Sequence, residues 1–183
     1  MIRRAPSRVD VIGASGTGKT TLARAIVGAL GIPAFESDDY YHVPTDPPYR
    51  VQRTPEERCA MLERDLALHA SWVLSGGAAT WSPAPALDFT LRVFLYLPPE
   101  ERLRRLIHRE RESFGDRIAR GGDMEADHLA FLAWTRGYDD STSEGTNTLA
   151  HHEALVARAT CPVLRLSGAV TREEALSRVL AQL

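Results

Sequence analysis

The sequence predicts an α/β fold, with about five parallel strands in one sheet and helices on both faces. Three observations carry that prediction. A short apolar strand, Arg8-Val9-Asp10-Val11-Ile12, runs into the glycine-rich stretch Gly13-Ala14-Ser15-Gly16-Thr17-Gly18-Lys19-Thr20. After it, Leu22, Ala23, Ile26, Val27 and Leu30 recur at helical spacing up to Gly31, a C-terminal stop. Further short apolar runs then alternate with helical patterns, and strands that alternate with helices build a parallel sheet. At 183 residues with 44% hydrophobic content, the chain reads as a single domain over 1–183, with core enough to bury.

The glycine-rich stretch fits G-x-x-x-x-G-K-[ST], the spacing of a phosphate-binding loop. Its glycines let the backbone curl so that successive N–H groups point at an anion. The helix that follows adds the partial positive charge of its N-terminus. Residues Gly13, Ala14, Ser15, Gly16, Thr17, Gly18, Lys19, Thr20 and Thr21 are therefore the candidate nucleotide-binding residues. Lys19, the only lysine in the chain, would bring a full charge to the β- and γ-phosphates. The Thr20 hydroxyl would ligate Mg²⁺.

Taken in order, Pro33-Ala34-Phe35-Glu36 reads as the second strand. It ends at Ser37-Asp38-Asp39-Tyr40-Tyr41-His42. Ligands of an open parallel sheet bind beyond the carboxyl ends of its strands, so this acidic turn would face the crevice of the phosphate loop. Asp is also an ordinary cap or turn residue. Thr45-Asp46-Pro47-Pro48-Tyr49 cannot continue a helix or an inner strand and reads as a loop over the crevice mouth. Tyr40, Tyr41, Tyr49, Arg50 and Arg53 crowd there, either to hold a second substrate or to pack the loop. Thr54-Pro55-Glu56-Glu57 is a helix start, and that helix should run to about His69. Trp72-Val73-Leu74-Ser75 is the third strand, closed by Gly76-Gly77. Ser82-Pro83-Ala84-Pro85 is an irregular connection, and Leu91 to Leu97 is the fourth strand.

Pro98-Pro99-Glu100-Glu101 starts a helix bearing Arg102, Arg104, Arg105, Arg109 and Arg111 and ending near Glu112. Arg105 and Arg109 lie four apart, on one face. Phe114 to Asp123 is glycine-rich and charged. Asp123 should cap a helix to about Tyr138, and Asp139 to Asn147 should be a mobile polar segment. Residues 110–147 thus form a helical, Arg-rich lid insertion. Thr148 to Ala159 is helical and Cys161 to Leu166 is the fifth strand, ending at Ser167-Gly168-Ala169. Thr171 caps the last helix.

These parts suit phosphoryl transfer to a small acceptor. Such catalysis is mostly positioning and charge neutralisation, and Arg forks bind phosphate oxygens bidentately. Arg105, Arg109 and lid residues including Arg117 and Arg120 would clamp the phosphates on closure, excluding water. Asp38 is the candidate base for an acceptor hydroxyl or a second-sphere Mg²⁺ ligand, with Asp39 behind it. An Asn-Lys-x-Asp guanine element is ruled out, because Lys19 is the only lysine. Neither the third nor the fourth strand ends on a carboxylate, as a motor ATPase would require. Net charge −2 offers no basic field for nucleic acid or membrane. The two cysteines are far apart, without metal spacing. The chain reads as cytoplasmic, a monomer or homodimer.

On these residues the chain resembles the small P-loop kinases related to adenylate, shikimate, gluconate and uridine kinases. Gly13 to Thr20 matches their loop. Arg105-Leu106-Ile107-His108-Arg109 resembles the R-x-x-x-R that begins the adenylate kinase lid. Ser37 to Tyr41 resembles the acidic, aromatic turn of uridine and gluconate kinases, with Asp38 at the acid that activates the acceptor hydroxyl. Gly168-Ala169 resembles the turn that packs on adenine. The resemblance implies a three-layer P-loop NTPase fold and ATP with Mg²⁺ as cofactors. It implies catalytic roles for Lys19, Asp38, Arg105 and Arg109, nucleotide contacts from Arg109 and Gly168, and Thr20 with Asp38 at the metal. Asp38, Asp39, Tyr41, Arg53, Gly76, Gly77 and Arg117 would meet a nucleotide, nucleoside or sugar-acid acceptor. Ser75 departs from the Asp found before the glycine in many relatives, which also admits a nucleotide-binding regulatory protein with little or no transfer.

Overall fold

The computed structural model describes residues 5–82, 84–142, 145, 147–168 and 170–183. Strands β1 (Arg8–Gly13), β2 (Ala34–Glu36), β3 (Trp72–Ser75), β4 (Leu91–Tyr96) and β5 (Val163–Ser167) form one parallel sheet in the order β2-β3-β1-β4-β5. The α-helices among the described residues are α1 (Lys19–Leu30), α2 (Ser37–Tyr41), α3 (Pro55–Ala67), α4 (Pro99–Phe114), α5 (Glu125–Arg136), α6 (Leu149–Ala157) and α7 (Arg172–Leu180). This is the three-layer P-loop architecture the pattern predicts. Pro83, Ala169 and three positions of the 139–147 segment lie outside the described residues.

The two-residue period of the strands divides the core. Val9, Val11, Val73, Val93, Leu95 and Leu166 point to one face and pack on Leu22, Ala23 and Ile26 of α1 and Ala175 and Val179 of α7. Trp72 and Leu74 point to the other face, where Leu62 and Leu66 of α3 join Tyr40, Ala78 and Trp81. Asp10 and Arg92 also face that way. The register sets them directly opposite each other, and Arg92 Nε donates to Asp10 Oδ2 at 2.7 Å with both residues buried. The same guanidinium donates to the Leu155 carbonyl of α6 at 2.9 Å, which ties that helix over the centre of the sheet. Burial pushes the Asp10 carboxyl up to about 6 against the pull of Arg92.

Helix starts follow their caps. Thr54 and Glu57 form a reciprocal capping box with Pro55 in the first turn. Thr171 accepts from the Glu174 amide at 3.1 Å. Two expectations are overturned. Asp123 does not cap α5; its carboxylate is held by Arg117 at 3.0 and 2.7 Å, and α5 starts without a side-chain cap. Asp139 is no part of a free polar segment. The buried Arg102 donates to both its carboxylate oxygens and Tyr96 donates to Oδ1 at 3.1 Å. Arg102, which sequence reading set among the arginines of this helix without a role of its own, fastens the start of α4 to the chain returning from α5. The acidic turn after β2 is itself one turn of helix, α2.

Candidate active site

All strands being parallel, their carboxyl ends gather at one edge, and the phosphate loop sits there between β1 and α1. Gly13 takes φ +142, and a Cβ there would lie 2.3 Å from the Leu95 carbonyl oxygen. Gly16 takes φ +82, and its Cβ would lie 2.9 Å from the Arg102 carbonyl oxygen of α4. Both glycines are thus fixed by neighbouring backbone. Gly18, at φ +96, faces open space instead. The half-buried Lys19 folds over the loop, its Nζ donating to the Gly13 and Ala14 carbonyls at 2.9 and 2.8 Å. It forms no ion pair among the described residues.

Four charges meet here. Burial pulls the Lys19 ammonium down to about 8; Asp38 pushes it back up, Arg109 adds to the fall and Glu36 opposes it. The Asp38 and Arg109 charges, from α2 and α4, thus act on the Lys19 ammonium. Arg105 stands elsewhere. It pairs with Glu101 at 2.8 Å and lines an open cleft of about 130 Å³ beside the loop. Gly18, Thr21, Tyr96, Gly168 and Val170 line the same cleft. Arg109 itself is held by Glu110 at 3.0 Å.

A hard-oxygen site lies beside the loop. Thr20 Oγ1 donates to Glu36 Oε2 at 3.1 Å, and Arg24 approaches the other oxygen at 3.9 Å. Among the described residues no group of three or more His, Cys, Asp or Glu is poised for a metal. A hydroxyl and one carboxylate fit Mg²⁺, which keeps several waters and shares phosphate oxygens rather than filling an all-protein cage. Glu36 is the residue sequence reading missed. Its signal was available: it is the last residue of β2, a carboxylate at the crevice end of a short apolar strand. Asp38, read as a metal ligand, is exposed and has no contact with Thr20 among those found.

The remaining acceptor-side residues are mostly engaged with the protein. Gly76 takes φ +118 and a Cβ there would lie 1.9 Å from Ser37 Oγ, so this glycine lets the end of β3 touch the start of α2. The Gly77 amide is occupied by Ser37 Oγ at 2.9 Å. Arg53 donates to the carbonyls of Asp39 at 2.9 Å, Tyr40 at 3.1 Å and His42. Arg117 bridges Asp46 and Asp123, each at 2.7 Å. The Tyr41 ring lies 6.1 Å from Trp81, with the buried Arg58 guanidinium over both rings at 4.3 and 4.9 Å. Asp39 is exposed. Residues 42–52 form a hairpin, closed by Val43 N–H to the Val51 carbonyl and Arg53 N–H to the Tyr41 carbonyl, both at 2.9 Å. At its tip Tyr49 takes φ +68. A bulky residue in that region costs about 1–2 kcal/mol.

Comparison with known proteins agrees with the fold. Residues 9–127 match the family described as AAA domain. The protein named "Uncharacterized protein YqaC" of Bacillus subtilis (strain 168) is 34% identical over 172 residues, covering 94% of each chain. Among solved structures, a gluconokinase from Sinorhizobium meliloti 1021 superposes with TM-score 0.56 at 21% identity, over 98% of this chain and 93% of that one. A putative kinase from Chloroflexus aurantiacus gives 0.57 at 18%, over 98% and 96%. A shikimate kinase from Bacteroides thetaiotaomicron gives 0.52 at 19%, over 97% and 99%. With its phosphate loop in place and more than half its length matched, the chain belongs to the AAA domain family of P-loop proteins, in the fold that P-loop small-molecule kinases share.

Proposed function

We propose that the protein is a Mg²⁺-dependent phosphotransferase that moves the γ-phosphoryl group of ATP to a hydroxyl of a small acceptor. The observation that carries this is the phosphate loop at the carboxyl edge of the parallel sheet, with Lys19 folded over it and the Thr20–Glu36 pair beside it. Gly18 and Gly168 line a cleft that suits the base, and His42 and Tyr49 pack edge-on within the hairpin. The adenine would lie along Thr21 and Gly168, where Arg105 reaches the nucleotide rather than the transferred group. Thr20 and Glu36 would hold Mg²⁺, which neutralises phosphate charge when bound; Glu36 stands in for the carboxylate that Ser75 does not supply.

The chemistry left to the chain is orientation, charge and one proton. Asp38 accepts the proton of the acceptor hydroxyl as its oxygen attacks phosphorus; the bond from phosphorus to the β,γ-bridging oxygen breaks and ADP leaves. Lys19 and Arg109 face the equatorial oxygens, where charge spreads in the transition state. The 42–52 hairpin and the 115–127 segment, joined through Arg50 and Arg117, would keep water from competing with the acceptor.

The test is a pair of substitutions read by nucleotide titration and by product formation. Lys19→Ala should weaken ATP binding by at least about tenfold. Glu36→Gln should leave Mg-free ADP binding within about twofold and raise the Mg²⁺ needed for half-maximal turnover by about tenfold. Unchanged ATP affinity in Lys19→Ala would remove the phosphate loop from the site and the proposal with it.

A further inference from the structure

Arg58 carries a buried charge with nothing to neutralise it. The residue is 7% exposed, and among the described residues its guanidinium donates no hydrogen bond and joins no ion pair, with Nε wholly buried. What holds it are two ring faces, Tyr41 at 4.3 Å and Trp81 at 4.9 Å. A ring face attracts the cation but leaves its in-plane N–H donors without an oxygen to meet. A buried cation in that state is costly, whereas the same planar fork fits two oxygens of one phosphate or carboxylate.

Direct contacts tie this group to the phosphate loop. Thr20 donates to Glu36 at 3.1 Å, and Glu36 is the residue from which α2 starts. The five residues of α2, about 7 Å of helix, lead from there to Tyr41. Asp38 and Tyr41 stand three apart on that helix, on one face and a turn from each other. Trp81 follows the end of β3, whose Gly77 amide donates to Ser37 Oγ at 2.9 Å. Because β3 lies between β2 and β1, the Arg58 cluster and the loop share the carboxyl edge of the sheet. Strands β2 and β1 are two spacings, about 10 Å, apart, which is the length of a small molecule.

Resting on the transfer reading above, we propose that the acceptor bears an oxyanion, a phosphate monoester or a carboxylate, and that Arg58 is the residue that binds it. Arg58 grips the anion edge-on while Asp38, one turn along α2 from Tyr41, addresses the hydroxyl. The two rings hold the guanidinium in place before the acceptor arrives.

The test reads binding first and turnover second. Protein saturated with a non-hydrolysable Mg-ATP analogue is titrated with matched pairs that differ in charge: nucleoside monophosphates against nucleosides, sugar phosphates and aldonates against sugars, cyclic hydroxy acids against cyclic polyols. At least one anionic member should bind about tenfold or more tighter than its neutral parent, and its chemistry tells a phosphate from a carboxylate. In Arg58→Met, which keeps an apolar stem between the rings, that preference should shrink to within about twofold, with nucleotide affinity moved by no more than that. The ligand-free variant should melt as high as wild type or higher, because a buried charge without a partner is gone. Arg58→Lys keeps the charge but loses the fork and should fall between the two. The inference is overturned if no anionic member binds more tightly than its parent, if the preference survives in Arg58→Met, or if that variant melts well below wild type, which would make the guanidinium a packing element. The preferred compound is then offered with Mg-ATP. Binding without phosphorylation would end the transfer reading and leave the anion site; phosphorylation of neutral members alone would end the anion site and leave the transfer reading.

Discussion

The Lys19 ammonium makes the phosphate loop's own titration measurable. In the free protein its pKa is drawn down to about 8, chiefly by burial. Bound triphosphate should return it to the ordinary 10.5 or above, because opposite charge favours the protonated form. Binding therefore takes up a proton wherever the free ammonium has lost one. Below about pH 7.5 both states are charged and affinity is flat. Above pH 8 affinity falls by a factor approaching ten per pH unit, about tenfold from pH 7 to 9 and close to ~30-fold by pH 9.5. Those factors correspond to about 1.4 and 2 kcal/mol of lost binding. The assay is calorimetric titration of Mg-ATP at pH 7, 8, 9 and 9.5 in two buffers of different ionisation enthalpy, so that proton uptake is counted directly. Uptake should approach one proton at pH 9. Lys19→Arg, charged throughout this range, should bind with a flat profile. A flat wild-type profile with no uptake would mean that the ammonium does not lose its charge in the free loop, or does not meet the phosphates, and the electrostatic account of the site would fail.

Two further outcomes follow from the fold. Gly76→Ala puts a Cβ 1.9 Å from Ser37 Oγ at a backbone φ of +118, so it should lower stability by about 3 kcal/mol in urea melts; Gly28→Ala, in α1 with open space around it, should raise stability by ~0.8 kcal/mol. Equal effects of the two would show that the close approach of β3 to α2 is not rigid. His152 is buried with its Nδ1 on the Tyr138 hydroxyl at 2.7 Å and its Nε2 unpartnered, and burial, then Lys19, pull it down from 6.5 to about 3. The unfolded chain binds a proton below pH 6.5 that the folded chain refuses, so His152 costs stability as pH falls through that window, by about 2 kcal/mol between pH 6.5 and 5. Asp10 acts in the opposite direction between about 6 and 3.8, since its folded carboxyl takes up a proton first. The quantity to measure is thus the stability of wild type minus that of His152→Leu, in which the Asp10 contribution cancels; it should fall by that amount, and a constant difference would count against a neutral, buried imidazole.

Much of the fold was legible because its signals are local. A strand, a glycine loop and a helix with 3.6-residue spacing need only their own side chains to declare themselves, and so do the caps at Thr54 and Thr171. Gly13, Gly16 and Gly18 could be read as loop glycines from spacing alone. Which of them are packed against backbone and which faces free space depended on β4 and α4, nearly ninety residues away in the chain. The arginines divide in the same way. Sequence marks a helix face bearing Arg105 and Arg109, but only the packing decides that Arg109 pairs with Glu110 while Arg105 lines the cleft with Gly18 and Gly168. Arg102, Arg53 and Arg117 were unreadable for a general reason: a guanidinium's role is set by whichever acceptor ends up within 3 Å, and that acceptor is distant in sequence. Asp139, Asp46 and the carbonyls of Asp39, Tyr40 and His42 became partners only when the chain folded. Glu36 was misjudged by the same mechanism. Its place at the end of a strand was visible, but its partnership with Thr20 arises from the parallel order that sets the end of β2 beside the start of α1. Composition and periodicity determined the sheet, the loop and the class of ligand it can cradle; the long-range pairing of charges, which no local pattern encodes, decided which side chains face that ligand.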